Sequence, residues 1–163
     1  MTLSATKTYA IFEPAFPYVY MPVGDYIRWM TTINTQYKDK QINCNPLSGT
    51  KCYFANSCDH VRNFVQMKPQ KFELGDSNTG SFTVTMDLSK LLIPGQNVGG
   101  KIGQCYIGMF SSKSIEMDTW YIGNIVMEEY YIVYDATPAE QGQDWIQLGI
   151  APSVDKLLWA RGA

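Results

Sequence analysis

The chain reads as a mainly β protein of one domain, with two short helices. Three observations predict this. Ser81 to Leu88 alternates strictly, with Phe82, Val84, Met86 and Leu88 on one side and Ser81, Thr83, Thr85 and Asp87 on the other. That period of two marks a strand with one buried face. Aromatic residues make up 13% of the 163 positions, eleven of them Tyr, and such side chains favour strands. Helical signals are confined to one amphipathic stretch and one short capped segment.

The elements follow in order. Thr8 to Phe12 is an apolar run that reads as a strand feeding a turn, where Pro14 and Pro17 break regular pairing. Pro22 suits the first turn of a helix. Val23, Tyr26, Ile27, Met30 and Ile33 recur at spacings of three and four, which predicts an amphipathic helix over 23–34. Lys38 to Asn63 is polar, holds three of the cysteines and reads as a loop. Phe64 to Met67 and Lys71 to Leu74 are short strand candidates, and 75–80 is a turn. Pro94-Gly95 and Gly99-Gly100 punctuate a loop. Cys105 to Phe110 and Trp120 to Ile122 are buried-strand candidates. Asn124 is placed to cap a short helix reaching Glu129. Tyr131 to Tyr134 and Trp145 to Ile150 read as strands joined by a polar loop containing Gly142.

Charge narrows the function. The net charge of −2 comes without a basic block, so nucleic acid is an unsuitable partner, because phosphate binding needs clustered Lys and Arg. No run of about eighteen apolar residues is present to span a membrane. Met1 to Lys7 is polar and lacks a signal peptide's apolar centre. The four cysteines, at 44, 52, 58 and 105, lack the paired C-x-x-C spacing of a zinc site, and His60 is the only histidine. No metal or cofactor is implied. Two disulfides are the preferred reading, and four buried thiols of a cytosolic protein are the alternative.

The end of the chain carries a more specific pattern. Trp120-Tyr121-Ile122-Gly123-Asn124 is followed by Tyr130-Tyr131-Ile132-Val133-Tyr134-Asp135 and then by Leu148-Gly149-Ile150-Ala151-Pro152. This succession resembles the closing segment of the C-terminal lobe of pepsin-like aspartic proteases. Its pattern there is Trp, two apolar residues, Gly-Asp, then Tyr-Tyr-x-Val-Phe-Asp and a Gly-Leu-Ala-Pro signature. The resemblance implies a single, incomplete pepsin-like lobe over 10–153, with an N-terminal extension or strand at 1–9 and a tail at 154–163. It also implies a Cys58–Cys105 bridge, with Cys44 and Cys52 closing a small surface loop. An oxidising compartment (extracellular or secretory) follows. The polar N-terminus would then mark a processed piece or fragment of a longer precursor.

What that lobe should carry is missing. The family places a catalytic Asp-Thr-Gly after an apolar strand, and this chain has Ala10-Ile11-Phe12 followed by Glu13-Pro14-Ala15-Phe16-Pro17. Pepsin-like enzymes use one aspartate from each of two lobes, and the pair shares a proton because two touching carboxylates cannot easily both ionise. Glu13 would reach about 1.5 Å further than Asp, where catalytic groups tolerate about 0.5 Å of misplacement. Pro14 has no N–H to donate, Ala15 adds a Cβ where Gly allowed close approach, and Phe16 and Pro17 have no hydroxyl. The plain alternative is a solvated or locally paired carboxylate at a strand end. The apolar-apolar-Gly turn that threads beside the loop in the family is present as Tyr121-Ile122-Gly123.

These residues imply a lobe without catalysis, serving binding or a larger assembly, whose partner is another polypeptide. The competing enzyme reading is one half of a split aspartic endopeptidase whose active lobe lies on another chain. Phe16, Tyr18, Tyr20, Tyr121, Ile122, Gly123, Tyr130 and Tyr131 would line or flank the cleft if the resemblance holds. Asp118, Glu128, Glu129 and Asp135 read as surface or capping charges. Ser111-Ser112 with His60 lacks a serine-hydrolase signature. Gly99-Gly100 is no phosphate loop, and Asn56-Ser57-Cys58 is a poor glycosylation sequon.

Overall fold

A computed structural model describes residues 9–45, 51–76, 80–112, 118–136, 140–142 and 147–153. The expectations for residues 1–8, 77–79, 145–146 and 154–163 lie outside the described residues. The fold is mainly β, as the alternation predicts. Strand β1 (Tyr9–Phe12) and strand β2 (Val19–Met21) flank the proline-bearing turn. Pro22 occupies the N-cap of helix α1 (Val23–Gln36). The buried face of α1 is Asp25, Tyr26, Trp29, Met30 and Ile33. Val23 and Ile27, expected on that face, are 47% and 43% exposed. The stripe is rotated, because the large Trp29 turns inward and stacks on Tyr26 at 5.7 Å.

The polar stretch 38–63 is not simply a loop. It holds a 3-10 turn (Lys38–Lys40), short strands β3 (Ile42–Asn43) and β4 (Tyr53–Phe54), and helix α2 (Cys58–Phe64). Ser57 Oγ caps α2 by accepting from the His60 N–H at 3.3 Å. Cys58, Val61 and Val65 are spaced to bury one face. The strand expected at 64–67 is therefore absent, because α2 takes Phe64. The alternating segment forms β6 (Gly80–Met86), paired antiparallel with β5 (Gln70–Asp76). Val84, Met86 and Leu88 are buried as the pattern requires.

Strand β7 (Leu92–Pro94) and a 3-10 turn (Gly95–Val98) precede the apolar run. That run is two strands rather than one, β8 (Cys105–Ile107) and β9 (Met109–Ser111). They belong to different sheets, and Gly108 is the passage between them. A Cβ there would lie 2.8 Å from Ile93 Cδ1 and 3.2 Å from Leu91 O. Strand β10 (Thr119–Ile122), helix α3 (Asn124–Met127) and the hairpin of β11 (Tyr130–Asp135) with β12 (Gln147–Pro152) complete the chain.

One sheet has the order β1-β10-β2-β9 and another β3-β4-β8-β7. In the first, β1 and β2 are consecutive in sequence but do not pair. Strand β10 lies between them, parallel to β1 and antiparallel to β2. Phe12, Ile122, Val19 and Met109 stand in register on its core face. Trp29, Met30, Ile33, Phe54 and Ile107 fill the interior. The buried Asp25 accepts from Trp120 Nε1 at 2.9 Å and lies 3.7 Å from Arg28, which tethers α1 to β10. Tyr130 ties the two hairpins together, because its hydroxyl donates to Thr85 O at 2.8 Å and accepts from Thr85 N at 2.7 Å.

Disulfides join Cys58 to Cys105 and Cys44 to Cys52, which fits an oxidising compartment. Among the described residues no helix is long and apolar enough to cross a membrane. The bridges span 47 and 8 residues. Chain entropy then makes the longer one worth about 1.6 kcal/mol more than the shorter. Urea unfolding of Cys58→Ser/Cys105→Ser and Cys44→Ser/Cys52→Ser is expected to show the first pair as the less stable.

Burial pushes the Tyr26 hydroxyl far above the ordinary tyrosine range, against a smaller lowering by the Cys52 backbone. Tyr37 is also raised by burial, with the Lys68 N–H opposing and Asp87 adding to the rise. The unfolded chain ionises these phenols near pH 10, and the folded chain holds them protonated. Stability is thus full below about pH 10 and falls as pH rises above it. Denaturant midpoints should drop above about pH 10, and less steeply in Tyr26→Phe.

Candidate functional site

The turn after β1 is held from three sides. Glu13 N donates to Ile122 O at 3.0 Å, continuing the pairing of β1 with β10. Phe16 N donates to Glu13 O at 3.1 Å and closes a turn over Pro14 and Ala15. Pro suits the second position of such a turn because its φ is preset. The Glu13 carboxylate folds back and accepts from Ala15 N at 3.0 Å. Glu13 is half-buried, while Pro14 and Ala15 are exposed.

The third side is Gly123. A Cβ there would lie 2.2 Å from Tyr18 O and 2.3 Å from Phe16 O, so only glycine lets the two backbones cross. The Asn124 N–H donates to Phe16 O at 2.8 Å and the Ile125 N–H to Pro17 O at 3.2 Å. The turn thereby satisfies the open N–H groups that begin α3. Gly123, not Asn124, is the cap residue, and no side chain caps this helix. Asn124 Nδ2 donates instead to Glu128 Oε1 at 2.9 Å. The cause is space, since the 16–18 backbone already fills the cap position.

Tyr134 approaches the same turn from β11, and its hydroxyl donates to Phe12 O at 3.0 Å. Partial burial and then the Glu13 carboxylate raise its phenol above the ordinary range. Other acids are engaged elsewhere. Asp59 pairs with Arg62, and Glu129 with Lys90. Asp118 is exposed at the start of β10, where its carbonyl accepts from Tyr9 N.

Aromatic rings extend from the turn across the sheet. Phe16 meets Tyr121 at 5.2 Å and Tyr20 at 5.3 Å, and Phe110 meets Tyr18 at 5.4 Å and Tyr20 at 5.8 Å. At the β9 side an open cleft of about 320 Å³ is lined by Tyr18, Tyr20, Lys51, Asn97, Val98, Phe110 and Ser111. Burial and then Tyr18 raise the Tyr20 phenol.

The structure thus brings Glu13, Pro14, Ala15, Phe16, Tyr18, Tyr121, Ile122 and Gly123 to one crossing. Ile122 is 5% exposed and faces the core. Tyr130 is turned inward onto Thr85 rather than towards the cleft, because its hydroxyl replaces a strand partner there. Tyr131 is exposed on β11. Ser112 Oγ donates to Met21 O, and His60 packs against Phe64, so neither is arranged as a nucleophile and base. Gly100 packs under the Tyr106 ring, and Cys58 of the weak sequon is bridged. Lys51, Asn97, Val98 and Phe110 were not singled out by sequence as site residues, and Ser111 was weighed there only as a serine nucleophile and set aside. They come from three separate segments, and only the position of Lys51 beside Cys52 hinted at a fixed place.

The family model described as eukaryotic aspartyl protease matches residues 2–143. No curated protein matches the chain.

The crossing makes Gly123 the least replaceable position of the turn. Gly123→Ala is expected to destabilise the chain by about 2 kcal/mol or more through overpacking against backbone. Thermal or urea unfolding measures this, with the exposed Gly142→Ala, which meets no atom within 4 Å but has a positive φ, as a comparison for backbone strain alone.

Proposed function

The chain belongs to the eukaryotic aspartyl protease family, and from that premise we propose that it is a C-terminal-type lobe, residues 10–153, without proteolytic activity. It serves to bind another polypeptide or to act as a structural subunit of a larger assembly. One observation carries this reading. The turn at the β1–β10 crossing reads Glu13-Pro14-Ala15-Phe16-Pro17, and the Glu13 carboxylate is spent on its own loop at Ala15 N. A proton-sharing pair needs a second carboxylate in contact. It also needs an N–H that Pro14 lacks and hydroxyls that Phe16 and Pro17 lack.

Two further observations support a partner. Among the described residues strand β1 is an edge of its sheet, with Tyr9 and Ile11 exposed, and such an edge is an aggregation liability unless it is covered. Phe16, Tyr18 and Tyr121 form the aromatic floor beside the turn, with Ile122 and Gly123 holding it. The split-endopeptidase reading has its own support, since the Ala15 N–H still donates to the acid at position 13.

Purified chain, kept without reductant, is expected to leave mixed peptides intact between about pH 3 and pH 5, where shared carboxylates work. Mass spectrometry of the digest checks this. Cleavage blocked by pepstatin overturns the inactive reading. If activity appears only with a co-purifying chain and is lost in Glu13→Gln, the split enzyme is the correct reading.

A further inference from the structure

We propose that the cleft over Tyr18 and Tyr20, backed by the buried Phe110, binds a peptide carboxylate, seated on the Lys51 ammonium, with apolar side-chain surface against the two tyrosine rings. The inference rests on the binding role proposed above and names the chemistry that role would read.

The composition of the cleft points to an anion. Among the described residues its lining offers one ammonium, two phenols and an amide, the Ser111 hydroxyl being buried, and no carboxylate. The chain as a whole carries −2, so its overall field does not gather anions, and attraction must come from local geometry. Lys51 Nζ donates to Val98 O at 2.6 Å. Among the described residues that is the bond this ammonium makes, which leaves two of its three donors for a ligand. The lysine is half-buried, and a charge partly withdrawn from water attracts an anion more strongly.

The cation is also held in place before any ligand arrives. Lys51 precedes Cys52, which is bridged to Cys44. Its acceptor, Val98, ends the 3-10 turn Gly95–Val98. Gly95 N donates to Gln104 O at 2.9 Å and Gly100 N to Gly95 O at 2.7 Å, which pins that turn. A preorganised donor costs less entropy on binding. The Tyr20 hydroxyl, like any phenol, is protonated at neutral pH and is a donor there.

Size sets the scale of the ligand. About 320 Å³ is at the lower end of ligand sites, which run from about 300 to 1,000 Å³. The cleft therefore takes one or two residues rather than a long segment. The carboxylate can come from an acidic side chain or from a chain terminus.

Three hexapeptides separate these sources. The first is capped at both ends and contains a Phe-Glu step. The second replaces Glu by Gln. The third is the Gln peptide with a free C-terminal carboxylate. Calorimetry at neutral pH and about 50 mM salt, where screening is weak, is expected to show the first or third binding at least about tenfold more tightly than the second. Lys51→Met should abolish that preference and Lys51→Arg should keep it. Equal binding of all three, or no binding by any, overturns the proposal, as does a preference that survives Lys51→Met. The Glu-to-Gln comparison uses the unaltered chain and needs no variant to fold. Cleavage of these peptides in acid would refute the inactive lobe separately, without altering the affinities at neutral pH.

Discussion

Strand β10 inserted between β1 and β2 is the constraint on which the rest depends. Because β10 runs parallel to β1, both strands end at the same edge of the sheet, at Phe12 and Ile122. The chain leaving β1 must turn back past the chain leaving β10 to reach β2. That crossing leaves no room for a side chain on Gly123. It also presents the Phe16 and Pro17 carbonyls to the start of α3. The turn, the short helix and the aromatic floor are consequences of one strand order.

The register of the same sheet divides its chemistry. Phe12, Ile122, Val19 and Met109 face the core, and Ile11, Tyr121, Tyr20 and Phe110 stand on the opposite side. The tyrosine and phenylalanine rings on that face pack against one another, so that Phe110 and Tyr121 are buried while Tyr20 is half-buried and Ile11 exposed. Lys51 and the Gly95–Val98 turn are brought to the end of this row of rings by the other sheet. Gly108 joins the sheets, so the cleft is built across their junction.

Much of this was legible where the signal is local. The alternation at 81–88, the proline-led helix and each strand of the final hairpin state their structure within a short local stretch. The Glu13 turn and the Gly123 crossing were legible through family resemblance. Strands β3, β4 and β7 were not, because two or three residues cannot display a period. Helix α2 was hidden in a polar, cysteine-bearing segment whose cap, Ser57, resembles loop composition. The face of α1 was misjudged because Val23 and Ile27 suit a helical stripe as well as Trp29 does, and only packing chooses between them. The cleft was invisible because the parallel pairing of β2 with β9 joins residues about ninety positions apart.

The Cys58–Cys105 bridge has a consequence for the covalent integrity of the molecule. It encloses most of α2, all of β5, β6 and β7, and the segment leading to β8. A peptide bond cut anywhere inside that span leaves the two pieces attached through sulfur. The nicked protein keeps its mass but for one water and migrates as one species until it is reduced, and only then separates into two chains. A single precursor can therefore persist as a two-chain protein, its core still assembled, with the bridge acting in place of the severed backbone.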